Sequence, residues 1–136
     1  MLSFEVLGEP MGKERPRKGW NRSFYTPQKT RNYEQRVALE AIAVIFKLKL
    51  TAPVFPEEPV QVTLDIFSLR LKSDGDNVLK AVLDALNKIA YTDDKQVERL
   101  KVYRHHSEPA GICVAVEATN RSELSLENGI FRSRHY

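Results

Sequence analysis

The hydrophobic period of this chain changes twice in its middle third. Val60, Val62, Leu64 and Ile66 alternate with Gln61, Thr63 and Asp65, the period of a strand with one apolar face, continuing to about Arg70. After an acidic turn the period becomes helical, with Val78, Leu79, Val82, Leu83, Leu86 and Ile89 as one buried stripe. Val97 to His105 then returns to a strand pattern. A strand, helix and strand in succession restrict the chain to a sheet with helices packed against it.

The flanking segments extend that pattern. Leu2 to Leu7 is a short alternating strand. Residues 8–26, rich in Gly, Pro and Arg, read as a long loop or loose hairpin. Thr26-Pro27 opens a helix to about Leu48, with Tyr33, Val37, Ala41 and Ile45 on its buried stripe and Ala38 and Ile42 widening it. A proline-rich connector over 51–59 precedes the central strand. A turn at Ser107–Gly111 leads into Ile112–Glu117, expected to pair with the preceding strand as a hairpin. The expected order is β-loop-α-β-α-β-β, an α/β (α+β) domain with a mixed sheet and two main helices. At 136 residues the chain is one domain, expected over 1–118, with a polar tail over 119–136.

Several function classes fall away. Cys113 lies in the apolar run Ile112–Val116 and reads as a small buried hydrophobe. The three histidines show no zinc spacing. The N-terminal MLSFEVLGEP lacks a signal-peptide pattern, and the most apolar window, Val37–Leu50, is too short and too charged to span a bilayer. A cytoplasmic location with no membrane partner is expected.

The chemistry concentrates around the second helix. Asp74 and Asp76 sit where it begins, Lys80 one turn in, and Asp93-Asp94 where it ends. Acids at a helix start commonly serve only as caps. Two acid pairs bracketing one helix, with a lysine between, instead suit a hard divalent cation and phosphate chemistry. An EF-hand loop is rejected, because Val78 and Leu79 occupy its third ligand and its glycine. Asp93-Asp94-Lys95 also fits the short D-x-K element of other metal-dependent nucleases, but in a turn rather than a strand. The formal charge is +3, and residues 11–36 carry eight Lys and Arg against two acids. Within that stretch Lys13, Arg15, Arg17 and Lys18 form a candidate phosphate-binding arm, and Trp20, Phe24 and Tyr25 could stack on bases. Arg99, Lys101, Tyr103 and His105 share one strand face, either a second nucleic-acid surface or a polar outer face.

Asp74-x-Asp76-Asn77-x-x-Lys80-x-x-x-Asp84-Ala85-Leu86, followed by Asp93-Asp94-x-Gln96-Val97, closely resembles the RusA-type Holliday junction resolvases. Gly12-Lys13-x-Arg15-Pro16-Arg17 and Tyr25-Thr26-Pro27-x-Lys29-Thr30-x-x-Tyr33-Glu34 resemble the branch of that family common in Gram-positive bacteria and their phages. The likeness covers about Leu2 to Glu117. It implies a homodimeric, Mg²⁺-dependent endonuclease, with Mn²⁺ as a possible substitute, that resolves four-way junction DNA by paired cuts. By motif position Asp74, Asp76 and Asp94 are implied as metal ligands and Lys80 as the essential lysine. Ser73 departs from members with a basic residue there. A non-catalytic branched-DNA-binding protein and a less selective branched-DNA nuclease are the alternatives.

Overall fold

A computed structural model describes residues 1–13, 17–18, 24–25, 28–71 and 73–119. Strand β1 (Leu2–Leu7) is followed by two short paired strands, β2 (Arg17–Lys18) and β3 (Phe24–Tyr25). Helix α1 (Gln28–Lys47), strand β4 (Val60–Phe67) and helix α2 (Gly75–Ala85) come next. A 3₁₀ turn (Asp94–Gln96) leads into β5 (Val97–His105), and β6 (Gly111–Ala118) completes the described elements. The mixed sheet and two helices are those expected. The proposed helix start at Thr26-Pro27 and the tail beyond Thr119 lie outside the described residues.

The main sheet has the order β1-β6-β4-β5. This corrects the expected β5–β6 hairpin: β5 runs parallel to β4 on one side, and β6 runs antiparallel to β4 on the other. The burial of the two strands explains the placement. Ile112, Val114 and Val116 of β6 are buried, which suits an interior slot between β1 and β4. β5 carries Glu98, Arg99, Lys101 and Arg104 and has no fully buried residue, which suits a sheet edge. Helix α2 is the crossover that allows β4 and β5 to run parallel.

Both helices contribute to the core on one face of the sheet. Leu2, Phe4 and Val6 of β1 and Val62, Leu64 and Ile66 of β4 meet Tyr33, Val37, Ala41 and Ile45 of α1 and Val78, Ala81 and Val82 of α2. The α1 stripe is the one its period predicts, except that Ile42 is not part of it. Ile42 is exposed, as are Leu39 and, at 85 %, Phe46. β4 ends at Phe67 rather than near Arg70. α2 ends at Ala85, so Leu86 and Ile89 are packed from the following turn, not from the helix.

The other sheet face places Glu5, Cys113, Asp65 and Tyr103 in one row across four strands. His105 stacks on Phe67 with centroids 4.5 Å apart and its Nε2 lies 2.8 Å from Asp65 Oδ1. Burial holds the Cys113 thiol above its usual range, with Glu5 and Asp65 adding to the effect, so it is a poor nucleophile. No helix among the described residues is long and apolar enough to cross a membrane.

Candidate functional site

The head of α2 presents two carboxylates with no hydrogen bond or ion pair among the described residues. Asp74 is the N-cap residue, with extended backbone, yet its side chain makes no capping hydrogen bond. Its carbonyl instead accepts from the amides of Asn77 at 3.0 Å and Val78 at 3.2 Å. Asp76 follows in the first turn, and both side chains are exposed. Positive charge at a helix N-terminus favours carboxylates there without consuming their lone pairs. Lys80 is exposed one turn further on and forms no ion pair among the described residues.

A strap from the N-terminal segment crosses this helix start. The Gly12 amide donates to Ser73 Oγ at 3.1 Å, and the Lys13 amide donates to the Asn77 carbonyl at 2.9 Å. A Cβ on residue 12 would lie 2.7 Å from Ser73 Cβ and 2.9 Å from Asn77 Cβ, so only glycine fits. The Lys13 ammonium then reaches down α2 to the Asp84 carboxylate and lies 3.5 Å from Glu34 of α1. Burial alone would lower its pKa, but the Asp84 hydrogen bond and the charge of Glu34 outweigh burial and raise it. Lys13, expected to grip DNA, therefore directs its charge into the fold and ties the strap to both helices. Arg15 lies outside the described residues; Arg17 and Lys18 lie on β2, beyond the strap.

The acid pair after α2 divides into two roles. Asp93 caps the 3₁₀ turn, accepting from the Lys95 amide at 2.9 Å. That bond, and the bond it shares with Asp94, hold the Asp93 carboxyl below its usual range. The same contact with Asp93 raises Asp94, with burial and the negative charge of Asp84 adding to it. Gln96 fixes the turn. Its Oε1 accepts from the amides of Thr92 (2.9 Å) and Asp93 (3.1 Å), while its Nε2 donates to the carbonyls of Phe55 (2.8 Å) and Glu58 (3.0 Å). Buried Tyr91 pins the preceding turn by donating its hydroxyl to the Leu83 carbonyl at 2.7 Å. In the Asp93-Asp94-x-Gln96 motif, Asp93 and Gln96 thus fix the turn that carries Asp94. The motif contained Gly12 and Gln96, but one-dimensional spacing gave neither a role; a glycine beside a lysine and a glutamine at the third position of a capping box were the available signals.

The two ends of α2 are far apart. Gly75 lies against Val102 and Arg104 of β5 and Ile66 of β4, near the C-terminal ends of those strands. The turn bearing Asp94 precedes Val97, at the N-terminal ends. The 11 residues of α2 between them span about 16 Å at 1.5 Å per residue. Consistently, no three His, Cys, Asp or Glu side chains among the described residues are grouped closely enough to hold one ion. The donor chemistry still fits a hard divalent cation: Asp74 and Asp76 are exposed oxygen donors with no bond among the described residues.

Comparison with known proteins gives these features a context. Residues 8–117 match the family described as endodeoxyribonuclease RusA. The chain is also similar to "Uncharacterized protein YqaN" of Bacillus subtilis (strain 168), at 30 % identity over 134 aligned positions covering 85 % of this chain and 94 % of that one. The matched span takes in the strap, the free acids at the head of α2 and the capped turn bearing Asp94, and the chain belongs to the RusA family of endodeoxyribonucleases.

Proposed function

We propose that the protein is a homodimeric, Mg²⁺-dependent nuclease that resolves four-way DNA junctions by paired phosphodiester cuts. The observation that carries this reading is the pair of carboxylates, Asp74 and Asp76, exposed at the head of α2 and unengaged among the described residues, in a chain of this family. Asp74, Asp76 and Asp94 would hold the cation. When bound, such an ion polarises the scissile phosphodiester and acidifies water. Lys80, one turn from Asp76 and free of any ion pair among the described residues, offers its ammonium to the negative charge that builds on the phosphate. Arg15, Arg17 and Lys18, which follow the strap in sequence, would neutralise backbone phosphates.

The placement of the two acid groups beyond opposite ends of α2, a helix about 16 Å long, gives the dimer a chemical purpose. A two-fold axis that sets the α2 helices of two copies head to tail brings Asp74 and Asp76 of one chain to the partner's Asp94. Each dimer then has two sites, related by the symmetry that paired cutting of a four-way junction requires. The exposed apolar stripe Leu39, Ile42 and Phe46 on α1, beside α2 in the helical layer, supplies surface for such an interface. Cleavage of a synthetic four-way junction, with and without Mg²⁺ and against a linear duplex of the same sequence, tests the reading. Symmetric paired nicks that need the metal and the branch are expected. Binding without cleavage would leave a branched-DNA-binding protein, and equal cutting of both substrates a nonselective nuclease.

A further inference from the structure

A cavity of about 520 Å³ opens beside the head of α2. Ser73, the residue before Asp74, forms part of its wall, so it adjoins the proposed reaction centre. Its size lies within the range of about 300–1,000 Å³ usual for small-ligand pockets. Pro10 and Met11 are among its lining residues, and Met11 also packs on the hydrophobic core. Two cations join them: Lys29 from the first turn of α1 and Arg70 from the segment after β4. Both are exposed, and neither forms an ion pair among the described residues. Glu9, the acid at the rim, is engaged by the Ser68 hydroxyl. The first turn of α1 carries Lys29 and Arg31 and no acid, a charge arrangement that disfavours the helix unless an anion is nearby.

We propose that this cavity is a subsite for one nucleotide of a DNA strand lying next to Asp74. Lys29 and Arg70 hold its backbone phosphate, and its base leaves the duplex stack to rest on Met11 and Pro10. Apolar side chains accept any base face, so the subsite reads no sequence. It reads structure instead. A base inside a paired duplex must be unstacked to enter, whereas a base at a branch point has already lost part of its stacking. The subsite therefore favours branched over linear DNA, and its lining does not include the arm residues Arg17 and Lys18. This inference rests on the nuclease reading above.

The test measures binding of the full-length chain, in EDTA so that nothing is cut, to a four-way junction and to a linear duplex of the same sequence. One junction carries 2-aminopurine at the branch point. Lys29→Ala/Arg70→Ala is expected to make the salt dependence of log K for the junction shallower by roughly 0.9 for each lost phosphate contact. Met11→Ala is expected to weaken junction binding roughly 3- to 10-fold, from the apolar contact it no longer makes, and to cut the 2-aminopurine brightening seen with the unaltered protein. Duplex affinity should stay within about twofold for both variants. Equal losses on the two substrates, or no loss on either, overturn the subsite. Lys29 and Arg70 are exposed, so their variant reports even if Met11→Ala folds poorly. The nuclease reading fails on a different result: no Mg²⁺-dependent cleavage of the junction by the unaltered protein.

Discussion

The Lys13 ammonium is bonded to the Asp84 carboxylate, joining the loop before the basic arm to the last turn of α2. Glu34 on α1, 3.5 Å away, makes this a three-element junction rather than a surface pair. Lys13→Ala is expected to cost about 1 kcal/mol, since the groups are partly exposed and solvent screens them. Because the Lys13 pKa is raised above 10.5 in the folded chain, its contribution is full below that value and is lost as pH rises through the raised pKa. Chemical denaturation of both proteins should therefore differ at neutral pH and converge in strong alkali. The salt dependence of DNA binding should be the same for both, whereas Arg15→Ala/Arg17→Ala should make it shallower by roughly 0.9 per contact.

Asp76→Asn and Asp74→Asn remove ligand charge with little change of shape. Cleavage in Mg²⁺ is expected to vanish while junction affinity holds or rises, because an acid beside phosphate has gone. Lys80→Ala should lose turnover more than affinity. Asp76→Asn protein that cuts near the normal rate would remove these acids from the chemistry.

Mixing two inactive chains tests the shared site. In a dimer of Asp76→Asn with Asp94→Asn, one site carries both defects and the other is intact if each site draws on both chains. Such mixtures should regain nicking at a single strand. If every chain completed its own site, the mixture would stay inactive. Sedimentation should show a dimer in the absence of DNA, and Phe46→Glu, at a residue 85 % exposed, should shift it toward monomer and make the melting temperature independent of protein concentration.

Gly12→Ala places a Cβ within 2.7 Å of Ser73 Cβ, against atoms next to the main chain that have little freedom to move. A loss of about 1–3 kcal/mol is expected from the overpacking, with turnover reduced as well because Ser73 precedes Asp74. Thermal melts and single-turnover cleavage read the two effects separately.

Gln96→Ala strands two amides and two carbonyls around the turn that presents Asp94. Stability should fall by about 1 kcal/mol, because most of these groups are exposed and water can replace the lost bonds, and cleavage should fall with DNA affinity preserved. Gln96→Glu keeps the accepting oxygen but loses the donor to Phe55 and Glu58, and should fall between the two.

Local chemistry was legible in one dimension. The periods of Val60–Ile66, of Tyr33–Ile45 and of Val97–His105 set which residues form strands and helices and which face they bury, because side-chain direction follows backbone period. The spacing of Asp74, Asp76, Lys80 and the Asp93-Asp94 pair marked the residues proposed to carry the chemistry. What tertiary structure decided was adjacency. β5 and β6 are neighbours in sequence but not in the sheet, because the buried β6 takes an interior slot and the charged β5 an edge. Lys13 belongs to a cationic run in sequence, yet the close approach at Gly12 turns it onto Asp84 and Glu34. Asp74 and Asp94 bracket one helix, and only the direction of α2 across the sheet puts its length between them. Spacing along a chain encodes the face a side chain points to; it does not encode which distant element packs against that face.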